Sequence, residues 1–348
     1  MPLELIAVAL RKLELRSYEE PPLKPGQVRV KSRLCAEKHG TNLPGLKGIS
    51  PVGDRTYDSG TGVFMPVEPG KAWGTRFPHG VGNMAVGTVV EAAPGVKKLK
   101  VGDRVFGHLP VRETHTVDEA RVHLAPESVG DEELVCVDPV LVALLAVREG
   151  NVQLGDTVAV FGLGAIGLMA VQLARLSGAL RVIAIEPHEN KRALALRYGA
   201  DLALDPTKSD AGLEVRKATG GKGVDVGIET SGAHSALHHA IRGTCYGGTI
   251  VPVAWYNGGA TDLRLGEEWH FNRQVMVSGA RLESQPYRDH PRWDSKRVEH
   301  TAVELFQKKR LSVEGMLQPR MPLSQAAEAY RIILDEPQKA VKCAITFR

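Results

Sequence analysis

A glycine-rich turn between two apolar runs constrains this chain more than any other feature. Gly162, Gly164 and Gly167 form a Gly-x-Gly-x-x-Gly pattern that follows the apolar run 157–161 and opens a segment with helical spacing. Gly162 permits a tight turn, Gly164 lets a ligand approach the backbone, and Gly167 lets the helix pack closely on the strand. A strand, a turn and a helix start in this order predict a site for the pyrophosphate of a dinucleotide.

The residues around this turn indicate which dinucleotide is bound. Ala165 and Ile166 begin the predicted helix, where free N–H groups and the positive end of the dipole favour phosphate oxygens. A second apolar run, 181–186, ends in Glu186. Its carboxylate would accept hydrogen bonds from the adenosine ribose and repel the extra phosphate of NADP, which favours NAD. Lys191 follows closely and lies either on an exposed helix surface or beside the adenine.

The composition is typical of a globular protein. The chain has 348 residues, of which 43% are hydrophobic, and a single core usually stops growing at roughly 250–300 residues, so we expect two domains. A net charge of +4 with scattered basic residues does not indicate a nucleic-acid partner. No apolar run approaches the roughly 18 residues of a membrane span. The first residues lack the basic region of a signal peptide, and the cysteines are isolated, so we expect a cytoplasmic protein without disulfides.

Strand-like and helix-like spacing divide the chain. The first 128 residues alternate short β-like runs with Gly and Pro, as a small β-rich barrel does. Farther along, helical spacing alternates with apolar runs, as a doubly wound parallel sheet requires. The predicted strands of that sheet are 157–161, 181–186, 201–204, 224–229, 248–254 and 275–279. The sequence therefore predicts an α/β fold in which a Rossmann sheet follows a β-rich domain.

Further motifs give the chain a family resemblance. Tyr198-Gly-Ala-Asp follows the second predicted helix of the sheet, and Glu229-Thr-Ser-Gly follows its fourth strand. With the glycine-rich turn and the β-rich front, this layout resembles the medium-chain dehydrogenase/reductase superfamily along nearly the whole chain. Three segments resemble a branch that includes bacteriochlorophyllide dehydrogenases and sugar or polyol dehydrogenases: Ala254-Trp-Tyr, His270-Phe-Asn-Arg and Pro291-Arg-Trp-Asp.

The resemblance implies an architecture and an assembly. Residues 1–138 and 281–348 would form a catalytic domain built on a chaperonin-like β-barrel, and residues 139–280 would form the Rossmann domain. A cleft between the domains would hold a small-molecule substrate. The assembly would be a homodimer or a homotetramer.

The chain departs from the zinc-dependent members of this superfamily at the metal ligands. Those members carry Cys-Gly-Thr-Asp and Gly-His-Glu-x-x-Gly, whereas this chain has His39-Gly-Thr-Asn and Gly82-Asn-Met-Ala-Val-Gly. Asn83 and Met84 thus stand at two ligand positions, and a neutral amide and a thioether serve catalytic zinc poorly. The third ligand position falls at the pair Val137-Asp138, and the four-cysteine lobe of a structural zinc is absent. We therefore expect an enzyme without a metal.

Without a metal, side chains must hold the substrate oxygen and remove its proton. The resemblance assigns to Thr41 the hydroxyl that contacts the substrate oxygen, and His39 would take the proton near neutral pH. On a strand both side chains would face one side, whereas a turn would break that arrangement. The alternative for His39 is a turn residue bonded to backbone. His270 is the second candidate acid/base, and a helix cap is its structural alternative.

Other residues are assigned to the cofactor and the substrate by their place in the fold. Ligands collect at the carboxyl ends of parallel strands, which places Thr230 near the ribose and pyrophosphate. The same rule places Ala254, Trp255 and Ser278 near the nicotinamide. Trp255 and Tyr256 would line the substrate pocket. Alternatively, they only pack against other residues of the protein.

The segment Gly45–Phe77 is polar and rich in Gly and Pro, which is typical of a lid or binding loop. Its Tyr57 and Arg76, with Trp293 from the tail of the chain, are candidate contacts to a polar or polyhydroxylated substrate. A solvated loop that binds no ligand is the alternative.

These features predict an NAD-dependent, zinc-independent oxidoreductase that interconverts a secondary alcohol and a ketone on a sugar-like or polyol-like substrate. One alternative is a zinc-free reductase of activated C=C bonds or quinones. Such enzymes usually favour NADP and need no strong base, so Glu186, His39 and Thr41 count against it. Another alternative is a non-catalytic dinucleotide-binding protein whose lost zinc ligands mark lost chemistry.

Overall fold

The chain folds into two compact units, seen in a computed structural model that describes residues 1–49, 55–67, 77–279 and 291–348. Met1–Cys136 and Val313–Arg348 form the first unit, and Val137–Ser312 form the second. None of the helices in the described residues has the length and apolar character of a membrane span.

The described elements follow one another in three stretches of the chain. The first stretch contains β1 (Leu3–Ala9), β2 (Lys12–Ser17), β3 (Gln27–Ala36), α1 (His39–Leu46), β4 (Arg55–Asp58), β5 (Val63–Pro66), β6 (His79–Gly80), β7 (Met84–Ala92), β8 (Arg104–Gly107), β9 (Thr114–Asp118), β10 (His123–Leu124) and α2 (Asp131–Leu134). The second contains α3 (Val137–Glu149), β11 (Thr157–Phe161), α4 (Ala165–Leu176), β12 (Arg181–Ile185), α5 (Glu189–Arg197), β13 (Leu202–Leu204), α6 (Ala211–Ala218), β14 (Val224–Glu229), α7 (His234–Gly243), β15 (Thr244–Pro252), α8 (Glu268–Phe271), β16 (Val275–Met276) and α9 (Ser295–Gln307). The third contains β17 (Leu317–Pro322), α10 (Ala326–Asp335) and β18 (Lys342–Thr346).

The first unit is built from β-sheets around one apolar core. Its main sheet has the order β10-β8-β7-β3-β18-β17, with β9 also paired to β3, and a second sheet has the order β2-β1-β6. Val28, Val30 and Cys35 of β3 are buried in the core. The last strand of the chain pairs antiparallel with β3, so that Ala344 lies opposite Ala36. This pairing brings the C-terminal segment beside the start of α1.

The second unit is a parallel sheet in the order β13-β12-β11-β14-β15-β16, with helices in the connections. The strand order reverses between β11 and β14, which is the place where doubly wound sheets bind dinucleotides. The buried runs Val158–Phe161 and Val182–Ile185 form its central strands. This topology confirms the predicted α/β fold, a Rossmann sheet together with a chaperonin-like β-barrel domain.

The end of the second unit differs from the predicted domain division. Residues 291–312 belong to the Rossmann unit rather than to the catalytic domain. Helix α9 packs against α3. The Gln172 side chain donates to the carbonyl oxygen of Ser312 at 3.0 Å and accepts its N–H at 2.8 Å. Helical spacing shows that a helix forms but does not show which unit its apolar face packs on.

Candidate active site

The glycine-rich turn is packed so closely that side chains are excluded at two of its three glycines. Gly162 has φ +84°, and a Cβ there would lie 2.8 Å from the Cβ of Ser231. A Cβ on Gly167 would lie 1.9 Å from the carbonyl oxygen of Gly162. By contrast, a Cβ on Gly164 would meet no described heavy atom within 4 Å. The space over Gly164 is therefore open at the start of α4, where phosphate oxygens are favoured.

Glu186 lies beside this turn, directly after β12, and is 5% exposed. Its Oε2 accepts the N–H of Leu163 at 2.8 Å, and its Oε1 accepts the N–H of His188 at 3.2 Å. A carboxylate has about four acceptor positions, so two remain for a ribose diol. The residues of the turn and Glu186 thus fit the adenosine half of a dinucleotide.

Two basic side chains that follow Glu186, Lys191 and Arg192, have different hydrogen-bond and ion-pair partners. The Nζ atom of Lys191 lies 3.9 Å from Glu186 Oε1. Burial lowers the pKa of Lys191, and the Glu186 charge opposes that shift. Arg192 donates to the carbonyl oxygens of Glu186 and Pro187, each at 2.7 Å, and pairs with Asp205. All three contacts are made through Nη1, which holds the guanidinium beside the backbone that follows β12.

Thr230 holds the glycine-rich turn from the loop after β14. Its hydroxyl donates to the carbonyl oxygen of Gly162 at 2.8 Å. The hydroxyl oxygen retains acceptor capacity, but its proton is used inside the protein. Thr230 therefore supports the cofactor site through the shape of the turn.

Glu229 joins the loop after β14 to the loop after β15. It is fully buried, and its carboxylate accepts the N–H groups of Ser231 at 2.6 Å and Gly232 at 3.2 Å and the hydroxyl of Tyr256. Burial raises the pKa of Glu229, while these hydrogen bonds oppose the rise. The hydroxyl of Tyr256 thus points to a buried carboxylate, so Tyr256 fastens the loop instead of presenting its polar end to a substrate.

The remaining predicted cofactor residues lie at the same edge of the sheet. The N–H of Gly279 donates to the carbonyl oxygen of Pro252 at 2.9 Å, which sets Ser278 beside the loop that begins at Ala254. Trp255 in that loop is 44% exposed. All these residues follow the carboxyl ends of parallel strands, where the fold collects ligands.

His270 lies at the opposite edge of the same sheet. It belongs to α8, which immediately precedes β16, and the carbonyl oxygen of Asn272 accepts the N–H of Gly247 in the first half of β15 at 2.8 Å. Because all strands of the sheet are parallel, α8 lies at the amino edge and the cofactor loops lie at the carboxyl edge. His270 is exposed, with its ring 5.6 Å from that of Phe271. This position argues against His270 as the acid/base.

The predicted substrate residues Trp293 and Tyr57 belong to different units. The Trp293 ring lies 3.7 Å from the guanidinium carbon of Arg148 and 4.3 Å from that of Arg297, which is a packing role within the second unit. Tyr57 is exposed on the β4–β5 hairpin, with its ring 5.4 Å from that of Phe64. Arg76 lies outside the described residues.

His39 and Thr41 lie on a helix, since α1 begins at His39. Residues two apart on a helix point about 200° apart, so the shared face that a strand would give is absent. The Nε2 atom of His39 accepts the N–H of Cys343 at 3.0 Å. That nitrogen must release the Cys343 N–H before it can take a proton. The structure therefore supports the backbone-bonded alternative for His39.

The residues at the zinc-ligand positions do not fit a catalytic zinc. Met84 is buried at the start of β7, and Asn83 places its Oδ1 3.3 Å from the Nδ1 of His108. Among the described residues, the only His, Cys, Asp or Glu side chains that converge as three possible ligands lie elsewhere, in the second unit: His238, Glu267 and Glu268. Catalytic zinc needs three nitrogen, sulfur or carboxylate ligands, and the motif segments do not bring such a set together.

Sequence reasoning missed a buried acid beside this segment. Glu37 is 2% exposed and lies between β3 and α1. One signal was present, because an acid directly follows the apolar residues Leu34–Ala36 and precedes the His39 motif by two positions. Glu229 was likewise visible in its motif, and only the structure shows that its carboxylate fastens two cofactor loops.

Comparisons with known proteins agree with this architecture. Residues 59–171 match a family described as alcohol dehydrogenase GroES-like domain, and residues 165–291 match one described as zinc-binding dehydrogenase. A D-guloside 3-dehydrogenase of Escherichia coli K12 is 37% identical to this chain, and the match covers 99% of both proteins. The chain belongs to the medium-chain dehydrogenase/reductase superfamily.

Other relatives in this superfamily have related activities. An (R,R)-butanediol dehydrogenase of Bacillus subtilis is 31% identical over 72% of this chain and 76% of its own length. The crystal structure of 2R,3R-butanediol dehydrogenase from Bacillus subtilis has a TM-score of 0.76 and 25% identity, with 99% of both chains covered. This medium-chain dehydrogenase is thus an alcohol dehydrogenase-type oxidoreductase with a nicotinamide dinucleotide cofactor.

Proposed function

We propose that this medium-chain dehydrogenase uses NAD, without zinc, to interconvert a secondary alcohol and a ketone on a sugar-like or polyol-like substrate. The observation that carries the proposal is the presence in one chain of an open dinucleotide turn and of Asn83 and Met84 at zinc-ligand positions. The full-length similarity to a D-guloside 3-dehydrogenase supports a glycoside or polyol as the substrate class.

The second unit supplies the cofactor site. The open space over Gly164 and the first N–H groups of α4 would receive the pyrophosphate, and Glu186 would receive the adenosine ribose. When bound, NAD⁺ would supply the acceptor for the hydride of the alcohol carbon, and the hydroxyl proton would go to the protein and then to water. The Glu186 charge would repel the 2′-phosphate of NADP, which supports NAD.

Without zinc, the first unit must stabilise the substrate oxygen with hydrogen bonds and must remove its proton with a side chain. A group that donates to the oxygen as its negative charge develops lowers the barrier to hydride loss. We assign this contact to the hydroxyl of Thr41. His39 would take the proton through a bridging water, because it points to another side of α1 than Thr41 does, and its Nε2 must give up the Cys343 N–H to do so. Oxidation would accordingly become faster as the pH rises and His39 is neutral.

Turnover on a substrate panel tests this proposal. Purified protein is given NAD⁺ or NADP⁺ with methyl glycosides, hexitols and simple secondary alcohols, and NADH absorbance is followed. We expect NAD-dependent oxidation of glycosides or hexitols. Oxidation of simple alcohols alone would refute the substrate class, and a preference for NADP⁺ would refute the cofactor.

Elemental analysis tests the absence of zinc separately. After dialysis against a chelator we expect the protein to keep its activity and to hold far less than one zinc per chain. Stoichiometric zinc whose removal abolishes turnover would refute the zinc-free assignment.

We also propose a cytoplasmic homodimer or homotetramer, as the family resemblance implies. Sedimentation velocity at micromolar concentration measures the assembly directly. A single species with the mass of one chain would refute it.

A further inference from the structure

Glu37 is buried between the two motif segments of the first unit and is 2% exposed. Its Oε1 accepts the N–H of Lys38 at 2.6 Å and the side-chain amide of Asn42. Its Oε2 accepts the N–H of Gly82 at 2.9 Å and the hydroxyl of Tyr330. These four donors use the four acceptor positions of a carboxylate.

The Glu37 carboxyl is shielded from water and surrounded by hydrogen-bond donors. All four partners donate to the carboxylate oxygens. Burial, together with the Glu37 charge, raises the pKa values of the Cys35 and Cys343 thiols and of the Tyr330 hydroxyl. An apolar residue of similar size would leave the N–H groups of Lys38 and Gly82 without this acceptor. An acceptor at this position therefore serves both segments.

The two backbone partners of Glu37 belong to the two motif segments. The N–H of Lys38 lies at the start of α1, whose first residue is His39, and a negative charge is favourable at a helix N-terminus. The N–H of Gly82 lies in the residue before Asn83. In zinc-dependent relatives these segments are joined by the metal ion that both of them bind. In this chain the backbone pairing of β3 with β7 brings Ala36 opposite Met84, and the Glu37 carboxylate adds a side-chain link between the two segments.

We propose that Glu37 is a positioning residue whose carboxylate ties the His39 helix to the Asn83 segment and replaces the cross-link that zinc makes in other members. This inference rests on the proposed function, because positioning affects turnover only if His39 or Thr41 acts on the substrate. Glu37 itself contacts neither substrate nor cofactor in this scheme. A misplacement of about 1 Å can lower a rate about 10²-fold, so loss of the tie should slow the chemical step.

The variant Glu37→Gln is the most direct test, because a carboxamide can accept on only one of its two sides. Asn42 can rotate its amide to accept, and Tyr330 can rotate its hydroxyl. The backbone N–H groups of Lys38 and Gly82 cannot reverse, so glutamine must give up one of these two hydrogen bonds, either the one at the start of α1 or the one to the segment before Asn83. We expect turnover to fall by about 10-fold or more.

Tyr330→Phe is the matched control. It removes a donor from the same carboxylate but leaves both backbone bonds in place. We expect a lower melting temperature, because a buried hydrogen bond is lost. We expect turnover within about 3-fold of wild type, because the N–H groups of Lys38 and Gly82 keep their bonds to Glu37.

Two readouts separate positioning from a loss of folded protein. In Glu37→Gln the isotope effect with substrate deuterated at the carbinol carbon should rise, because hydride transfer becomes more fully rate-limiting. The affinity for NADH should stay at the wild-type value, since the turn that binds it lies in the second unit. Fewer folded molecules would lower the apparent turnover without changing the isotope effect.

The inference is overturned if Glu37→Gln keeps wild-type turnover in its folded fraction, or if Tyr330→Phe loses as much turnover as Glu37→Gln. If Glu37→Gln does not fold, Asn42→Ala decides, because the Asn42 amide also donates to both Glu37 and the carbonyl oxygen of Gly82. Turnover lower than that of Tyr330→Phe by about 5-fold supports the tie, and equal turnover refutes it.

Failure of the proposed function gives a different result. Wild-type protein that oxidises nothing on the panel with NAD⁺ refutes the proposed function and, with it, a catalytic role for the tie. Wild-type activity that Glu37→Gln retains refutes the inference alone. In either case, hydrogen exchange at the Lys38 and Gly82 amides reports which of the two N–H groups lost its acceptor in Glu37→Gln.

Discussion

Alanine at Gly167 should destabilise the second unit, whereas alanine at Gly164 should leave it folded and weaken cofactor binding. The two glycines belong to one turn and differ in what a methyl group would meet. At Gly167 the added carbon would lie 1.9 Å from the carbonyl oxygen of Gly162. At Gly164 it would meet no described heavy atom within 4 Å.

The magnitudes follow from these distances. The contact at Gly167 must open by about 1.5 Å to reach ordinary van der Waals distance, and backbone forms the contact, so α4 and β11 must separate. Overpacking typically costs about 1–3 kcal/mol, and a backbone clash lies at the upper end or above. About 3 kcal/mol corresponds to a melting temperature lower by about 6–12 °C for a unit of this size. For Gly164→Ala, with an ordinary φ of −68°, we expect a change within about 1 kcal/mol.

Two measurements separate the variants. Thermal unfolding should show the loss for Gly167→Ala only. Titration with NADH should show at least about 10-fold weaker binding for Gly164→Ala, or about 1.4 kcal/mol, because the methyl group occupies the space assigned to the pyrophosphate. Wild-type affinity in Gly164→Ala would show that the open space is not the phosphate site, and an unchanged melting temperature in Gly167→Ala would refute the packing argument.

Three further predictions concern the cofactor, the chemistry and pH. Glu186→Ala should weaken NADH binding and reduce the ratio of NADH affinity to NADPH affinity. An unchanged affinity ratio would show that Glu186 does not set the cofactor preference. Thr41→Val should lower turnover about 10²-fold, and His39→Asn should lose the rise of oxidation rate with pH; an unchanged pH profile would leave His39 with its structural bond only. Burial, and then the Arg112 charge, lower the pKa of His115 to about 3. Below about pH 6.5 the unfolded chain therefore binds a proton at His115 that the folded chain does not bind. The His115 contribution to the free energy of unfolding should be fully present above that pH. In urea titrations the free energy of unfolding should be lower by about 2 kcal/mol at pH 5, and His115→Gln should show a smaller decrease.

The glycine-rich turn and its flanking strands were predictable because their determinants are local in the sequence. Gly162, Gly164 and Gly167 occupy one turn, and the positive φ and close packing at that turn exclude other residues. The strands that flank it are short apolar runs whose parallel pairing follows from the helices between them. Glu186 ends such a run, so its place beside the turn followed from the connection alone.

The surroundings of the motif residues were decided by tertiary structure. His39 accepts a hydrogen bond from Cys343, and Glu37 accepts one from Tyr330, so each pair joins residues about 300 positions apart. No periodicity in a sequence encodes such contacts, because they depend on the pairing of β18 with β3.

The same limit explains the other differences from the sequence-based expectations. The side chain of Trp293 lies over Arg148 because α9 packs on α3, and His270 lies at the amino edge because α8 precedes a parallel strand. Local sequence determines which elements form and which glycines a turn requires, since backbone stereochemistry acts between neighbouring residues. Which side chains then meet is decided by burial of apolar faces that lie far apart along the chain, and this selects the partners of Glu37 and His39.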